Sequence, residues 1–141
     1  MTNNIIEVVN GIVSMLLVDS NVESIGILHQ SPYIQFRGKQ GDIDLYFDSA
    51  VFYPQHYWEM SEQELMLLEL NNMNLKKVAD AFCTDTADLE VHFDDGSWFR
   101  INGTSKDGYQ PWQLSDGQSV DEGGIMLIAS SGDSNYAVWG A

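Results

Sequence analysis

Hydrophobic and polar residues alternate in two segments of the chain, Asp42-Ile43-Asp44-Leu45-Tyr46-Phe47-Asp48 and Asp88-Leu89-Glu90-Val91-His92-Phe93-Asp94. A period of two puts one set of side chains into a core and the other toward water, so each segment predicts a strand whose wet face carries a row of acids. A second aromatic stretch follows each copy after a short polar break. Residues 5–17 instead place Ile5, Ile6, Val8, Val9, Ile12, Val13, Leu16 and Leu17 at helical spacing, with Asn4 and Glu7 in a capping-box-like relation. That pattern predicts a first helix, although Gly11 costs it about 1 kcal/mol and the β-branched content leaves a strand open. Further strands are predicted at 22–28, 33–37 and 42–47, punctuated by Ser31-Pro32 and Gly38-Lys39-Gln40-Gly41.

The second helix carries the clearest start signal. Ser61 with Glu64 three residues on forms a capping box, and Met60 and Leu65 stand where a hydrophobic staple would form, so a helix is predicted over 62–70. Strands follow at 75–82, 88–93 and 97–102. After a connection containing Gly, Asp and Pro comes a last hairpin, 124–130 with 135–139. The fold class is α+β: a mostly antiparallel β-sheet with one or two helices packed on it, in a single domain spanning 1–141.

The turn after the second acidic strand can be read in detail. A two-residue Asp95-Gly96 turn would pair Phe93 with Trp98 and send Phe99 and Ile101 into water. A three-residue loop, Asp94-Asp95-Gly96 with a left-handed Gly96, instead pairs Val91 with Phe99 and Leu89 with Ile101 inside, and Glu90 with Arg100 and His92 with Trp98 outside. The second register is the one expected. The first copy lacks the turn glycine and has Pro54 where the second has Arg100, which leaves Asp42, Asp44 and Asp48 more available to an outside cation.

Charge then narrows the function. The chain holds 21 Asp+Glu against 6 Lys+Arg, a net charge of −15 in 141 residues. Such a surface repels phosphate backbones and anionic lipid and attracts cations or basic proteins, which disfavours direct nucleic-acid or membrane binding. The single Cys83 excludes an internal disulfide framework, and the start Met1-Thr2-Asn3-Asn4 lacks the features of a secretory signal, so a cytoplasmic location is expected. No apolar run approaches the roughly 20 residues that cross a bilayer.

Each candidate chemistry in the chain has a plainer structural role beside it. Alternate acids about 6.6–6.8 Å apart on a strand can engage Lys or Arg in a partner's groove, or simply solvate a sheet face. Asp88, Glu90, His92 and Asp94 fan along a line rather than converging on one ion, and no metal-binding spacing occurs, so no metal or other cofactor is expected. Nothing in the sequence activates Cys83, no nucleophile elbow or phosphate-binding loop is present, and His29, His56 and His92 read as polar or packing residues. No catalytic residue is therefore assigned. The aromatics Phe52, Tyr53, Tyr57, Trp58, Trp98, Tyr109 and Trp112 lie near turns beside acids, the mixture found at protein interfaces, although each could equally pack in the core. Pro111-Trp112 is the expected exposed anchor.

Phe93-Asp94-Asp95-Gly96-Ser97, Pro111-Trp112-Gln113-Leu114 and the closing Gly132-Asp133-Ser134-Asn135-Tyr136-Ala137-Val138-Trp139 together give the last third of the chain a likeness in style to one group of proteins. It resembles the small acidic immunity proteins encoded beside bacterial polymorphic and contact-dependent growth-inhibition toxins. The resemblance implies a non-enzymatic antitoxin that binds and blocks a basic toxin domain, often a nuclease, inside the producing cell. The net charge of −15 agrees with that implication, since a nuclease holds nucleic acid with cationic groups. The expected contact residues are Asp42, Asp44, Asp48, Asp88, Glu90, Asp94, Asp95, Trp98, Tyr109 and Trp112, on a protein that is monomeric when free. The alternative is an acidic cytoplasmic secretion chaperone, which would dimerise and expose an apolar groove.

Overall fold

The computed structural model describes residues 2–29, 31–39, 41–54, 59–103, 110–130 and 135–140. Helix α1 (Thr2–Leu17) buries Val9, Ile12, Val13, Leu16 and Leu17, a stripe at three- and four-residue spacing, and turns Val8, Gly11 and Met15 to solvent. It begins ahead of the expected Asn4 start and resolves the choice at 5–17 in favour of helix. The chain leaves it through Asp19, left-handed at φ 69°, with the Ser20 hydroxyl donating to Leu17 O at 2.5 Å.

Among the described residues ten strands form two antiparallel sheets. The six-stranded sheet has the order β1-β2-β3-β8-β9-β10, built from β1 (Asn21–Leu28), β2 (Ser31–Gly38), β3 (Gly41–Phe47), β8 (Trp112–Ser115), β9 (Met126–Ser130) and β10 (Asn135–Trp139). The four-stranded sheet has the order β4-β7-β6-β5, from β4 (Ala50–Tyr53), β7 (Trp98–Ile101), β6 (Leu89–Phe93) and β5 (Val78–Cys83). Helix α2 (Glu62–Met73) packs on β1, and its capping box is present as expected, with Glu64 N–H donating to Ser61 Oγ at 3.2 Å and Ser61 N–H to Glu64 Oε1 at 3.3 Å.

The two sheets join at one corner. Val22 N–H donates to Lys76 O at 2.9 Å, Leu75 N–H to Val22 O at 2.8 Å, Val78 N–H to Ser20 O at 2.8 Å and Asp19 N–H to Val78 O at 3.0 Å, so the start of β1 runs beside the start of β5. α1 packs along β5 and reaches β2 and β10. Its buried stripe, the inner faces of both sheets and Leu70 and Met73 of α2 belong to one hydrophobic cluster.

At the far end of the four-stranded sheet the turn 84–88 meets three other elements. Trp112 Nε1 donates to Ala87 O at 2.8 Å, the Tyr136 hydroxyl donates to Thr84 O at 2.6 Å, and Gly103 N–H donates to Asp88 Oδ1 at 2.7 Å. One residue earlier, Cys83 N–H donates to Asn10 Oδ1 of α1 at 2.6 Å. Gly103 has to be glycine, because a Cβ there would lie 2.2 Å from Thr86 O.

The first acidic copy, whose following turn lacks the glycine, does not form a hairpin with the aromatic stretch after it: β6 pairs with β7, whereas β3 pairs with β2 and β8, and β4 crosses into the other sheet to pair with β7. One expectation about elements is corrected. The Pro111-Trp112 stretch is not an exposed loop. Trp112 opens β8, an interior strand of the six-stranded sheet, and is 1% exposed because its ring fills the space between that sheet and the 84–88 turn.

The loop after β6 matches the expected register. Val91 pairs with Phe99, Leu89 with Ile101, Glu90 with Arg100 and His92 with Trp98, and Gly96 is left-handed at φ 89°. Nothing lies within 4 Å of a Cβ built on Gly96, so the cost of a side chain there is backbone strain alone. Gly96→Val is expected to lower stability by about 1–3 kcal/mol, read from urea denaturation; an unchanged midpoint would contradict the left-handed turn. Trp112→Phe is expected to cost about 1–3 kcal/mol, because the buried Ala87 carbonyl loses its donor and a smaller ring leaves a gap. A loss below about 0.5 kcal/mol in the same measurement would mean that the indole N–H contributes nothing.

Candidate protein-binding face

The outward side of the four-stranded sheet is a grid of paired residues. One row runs Tyr53, Trp98, His92, Asp80 across β4, β7, β6 and β5; the next runs Val51, Arg100, Glu90, Phe82. Alternation forces this arrangement, since Phe52, Phe99, Ile101, Leu89, Val91, Ala81 and Cys83 point to the core side of the same strands. A β-bulge between Val78 and Asp80 brings Asp80 opposite His92.

The rings on this face stack across strands. Tyr53 and Trp98 lie 5.6 Å apart between ring centroids at 13° to one another, Trp98 and His92 5.8 Å apart at 28°, and His92 and Phe82 5.8 Å apart at 18°. Tyr53 is 55% exposed and Val51 39%. The result is a continuous aromatic strip on a rigid sheet, open to solvent at its β4 side. His92 Nε2 lies 2.8 Å from Glu90 Oε1, which fixes the ring's rotation within the stack.

Acids border the strip. Asp80 and Asp94 are exposed, and Asp95 at the hairpin tip accepts from Ser97 N–H at 2.9 Å, from the Ser97 hydroxyl at 2.5 Å and from Lys76 Nζ at 2.9 Å. The Ser97 hydrogen bonds, with Lys76 behind them, hold its carboxyl down at about 2. Lys76 also bonds the Ser97 hydroxyl at 2.9 Å and sits 5.7 Å over the Phe93 ring, so the hairpin tip is braced from the loop before β5.

The acids of the first copy are placed differently. Asp42 and Asp44 lie on the outer face of β3, but Asp42 Oδ1 accepts from Arg37 Nε at 3.0 Å and Asp44 Oδ1 from Gln35 Nε2 at 2.9 Å. Arg37 also reaches Glu23, at 3.4 Å. The expected availability of this pair is thereby corrected: β2 supplies cross-strand partners directly opposite both acids. Asp48 remains exposed beyond the end of β3, where it forms the shared wall of two open hollows. One, of about 260 Å³, includes Tyr46, Gln110 and Gln113; the other, of about 440 Å³, includes Ile27, Glu62 and Met66.

Asp88 belongs to neither row. Its two oxygens accept from Gly103 N–H and, at 2.8 Å, from the Thr86 hydroxyl, so it shapes the turn. Of the expected contact residues, Glu90, Asp94, Asp95 and Trp98 therefore gather at the four-stranded face; Asp42, Asp44 and Asp48 lie on the other sheet; Asp88 and Trp112 are built into the framework. Tyr109, His56, Tyr57 and Trp58 lie outside the described residues. Phe82 was not singled out in the sequence, although Ala81 and Cys83 facing inward require it to face outward.

Among the described residues no group of three or more His, Cys, Asp or Glu is placed to hold a metal. Burial pushes the Cys83 thiol up to about 12, which leaves it protonated and unreactive at neutral pH. No described helix is long and apolar enough to cross a membrane. No family model, curated protein or solved structure matches this chain.

The depressed Asp95 carboxyl has a consequence for acid stability. Its folded value lies below the ordinary unfolded value near 3.9, so its contribution is present above about pH 4 and is lost as pH falls through about 2. Carboxyl ¹³C shifts recorded from pH 1.5 to 6 are expected to show Asp95 titrating at the low end, and Asp95→Asn is expected to remove that part of the acid dependence. A midpoint near 3.9 would mean that the Ser97 and Lys76 bonds do not persist in solution.

Proposed function

We propose that the chain is a non-enzymatic inhibitor of the immunity type, which binds a basic protein, a toxin nuclease domain being the class expected, and covers it with the outward face of the four-stranded sheet. The observation that supports this is the stacked strip Tyr53–Trp98–His92–Phe82 with the exposed carboxylates of Asp80 and Asp94 beside it. Stacked aromatics offer large contact area at low cost in side-chain entropy, because their rotamers are already restricted in the free protein. The bordering carboxylates add attraction and orientation for a cationic surface. The −15 charge acts at longer range by accelerating encounter.

In this mechanism the partner's basic groups meet the acids first, and its docking surface then desolvates the aromatic strip. Inhibition follows by occlusion of the cationic groups that would hold nucleic acid. No bond is made or broken. Asp42 and Asp44 contribute through the overall field, since their own hydrogen bonds are already filled within the sheet.

Affinity capture followed by mass spectrometry identifies the partner, and stopped-flow kinetics with the purified pair tests the face. Trp98→Ala is expected to raise Kd at least tenfold, while Asp42→Asn with Asp44→Asn changes it less than about threefold. Association is expected to slow steeply between about 20 mM and 500 mM salt while dissociation changes little. Full affinity in the folded Trp98→Ala protein would rule out this face, and a salt-independent association rate would remove charge steering from the mechanism.

A further inference from the structure

We infer that Arg100 is an anion-reading point within this face, which takes a carboxylate carried by the basic partner; the inference rests on the binding role proposed above. Three described bases already have acids: Arg37 lies against Asp42 and Glu23, Lys76 against Asp95, and Lys77 within 4.0 Å of Asp19. Arg100 and the exposed turn residue Lys39 have none within ion-pair distance among the described residues. Glu90 stands directly opposite Arg100 on β6 and would be the natural partner, yet Glu90 Oε1 is directed to His92. Arg100 Nε is buried and has no hydrogen-bond partner.

The buried Nε is closed to an incoming group, so a carboxylate would meet Arg100 at its terminal nitrogens, which have no acceptor among the described residues. The planar fork of Arg fits a carboxylate with two parallel N–H···O bonds, where a lysine could supply only a point charge. Val51 on the neighbouring strand and Trp98 two residues away along β7 give the site apolar surroundings, which strengthen such a bond once water is excluded. The surrounding negative field sets what can reach it. Free phosphate, nucleic acid and acidic peptides are repelled, whereas a single carboxylate set in a basic surface is carried in by its neighbours. Arg100 would thus distinguish one basic protein from another, where the acids alone would accept any.

Two acetylated, amidated nonapeptides serve as probes, each with four lysines on either side of a central residue that is Glu in one and Gln in the other. Calorimetry at about 30 mM salt gives the ratio of their affinities for the wild-type protein, for Arg100→Gln and for Arg100→Lys, after thermal melts establish that each variant folds. The expected ratio of Glu-peptide to Gln-peptide affinity is about tenfold higher in wild type than in Arg100→Gln. Arg100→Lys is expected to lose most of that difference, and the wild-type Arg100 Nε–H resonance to shift with the Glu peptide only. Equal ratios in wild type and Arg100→Gln, or full retention in Arg100→Lys, would overturn the inference while leaving the basic-partner reading intact. Failure of both peptides to bind wild type would sink that reading as well.

Discussion

The short turn between β5 and β6 is the point on which the rest of the structure depends. Apolar inner faces draw two sheets together but do not fix how they sit, because hydrophobic contact is non-directional. Hydrogen bonds supply the direction. Within residues 83–88 the backbone receives the Trp112 indole from β8 and the Tyr136 hydroxyl from β10, gives Cys83 N–H to Asn10 of α1, and carries Asp88, which holds Gly103 beyond β7. Ala87, buried and left-handed at φ 63°, makes the bend that presents its carbonyl to the indole. At the opposite corner, four main-chain bonds close the gap between β1 and β5. The sheets are thus tied at both ends of the four-stranded layer, and its outer face is held flat enough for rings on separate strands to stack.

The proposed binding role draws on that rigidity. Tyr53, Trp98, His92 and Phe82 come from four different strands, and their alignment depends on the registers of all three strand pairs. The Asp94-Asp95-Gly96 loop sets one of these registers, and the Asp95–Ser97–Lys76 contacts brace it. An aromatic strip assembled in this way loses little freedom on docking, so more of the contact energy appears as affinity. In the proposed role the acids around it would decide which partners approach, and Arg100 would add one feature of opposite sign within the field.

Features governed by neighbours in sequence were legible before the structure. The 94–96 loop and its register followed from one glycine and the need to keep Phe99 and Ile101 inside; the α2 start followed from Ser61 and Glu64. The α+β class followed from the two hydrophobic periods. What was not legible depended on pairing between distant segments. β8 is four residues long and preceded by Pro111, too short for its alternation to stand out, and it exists as a strand because β3 and β9 pair with it on both sides. The likeness of the two acidic copies concealed that β3 and β4 belong to different sheets. Half of the face was visible in Glu90, Asp94, Asp95 and Trp98; its composition was not, because Tyr53 and Phe82 reach it only through β4–β7 and β5–β6 pairing. Cross-strand partners also decided which acids are engaged: Gln35 and Arg37 occupy Asp44 and Asp42, while Glu90, correctly placed opposite Arg100, bonds to His92 instead.

The most direct test of the account is a ¹H–¹⁵N footprint of the protein titrated with the basic partner recovered from its host. The account expects the Trp98 indole N–H, the His92 ring and the backbone amides of Tyr53, Glu90 and Phe82 to shift or broaden together, with Gln35, Arg37, Asp42 and Asp44 unmoved. Perturbation centred on β2 and β3, with the Trp98 indole unchanged at saturation, would contradict it.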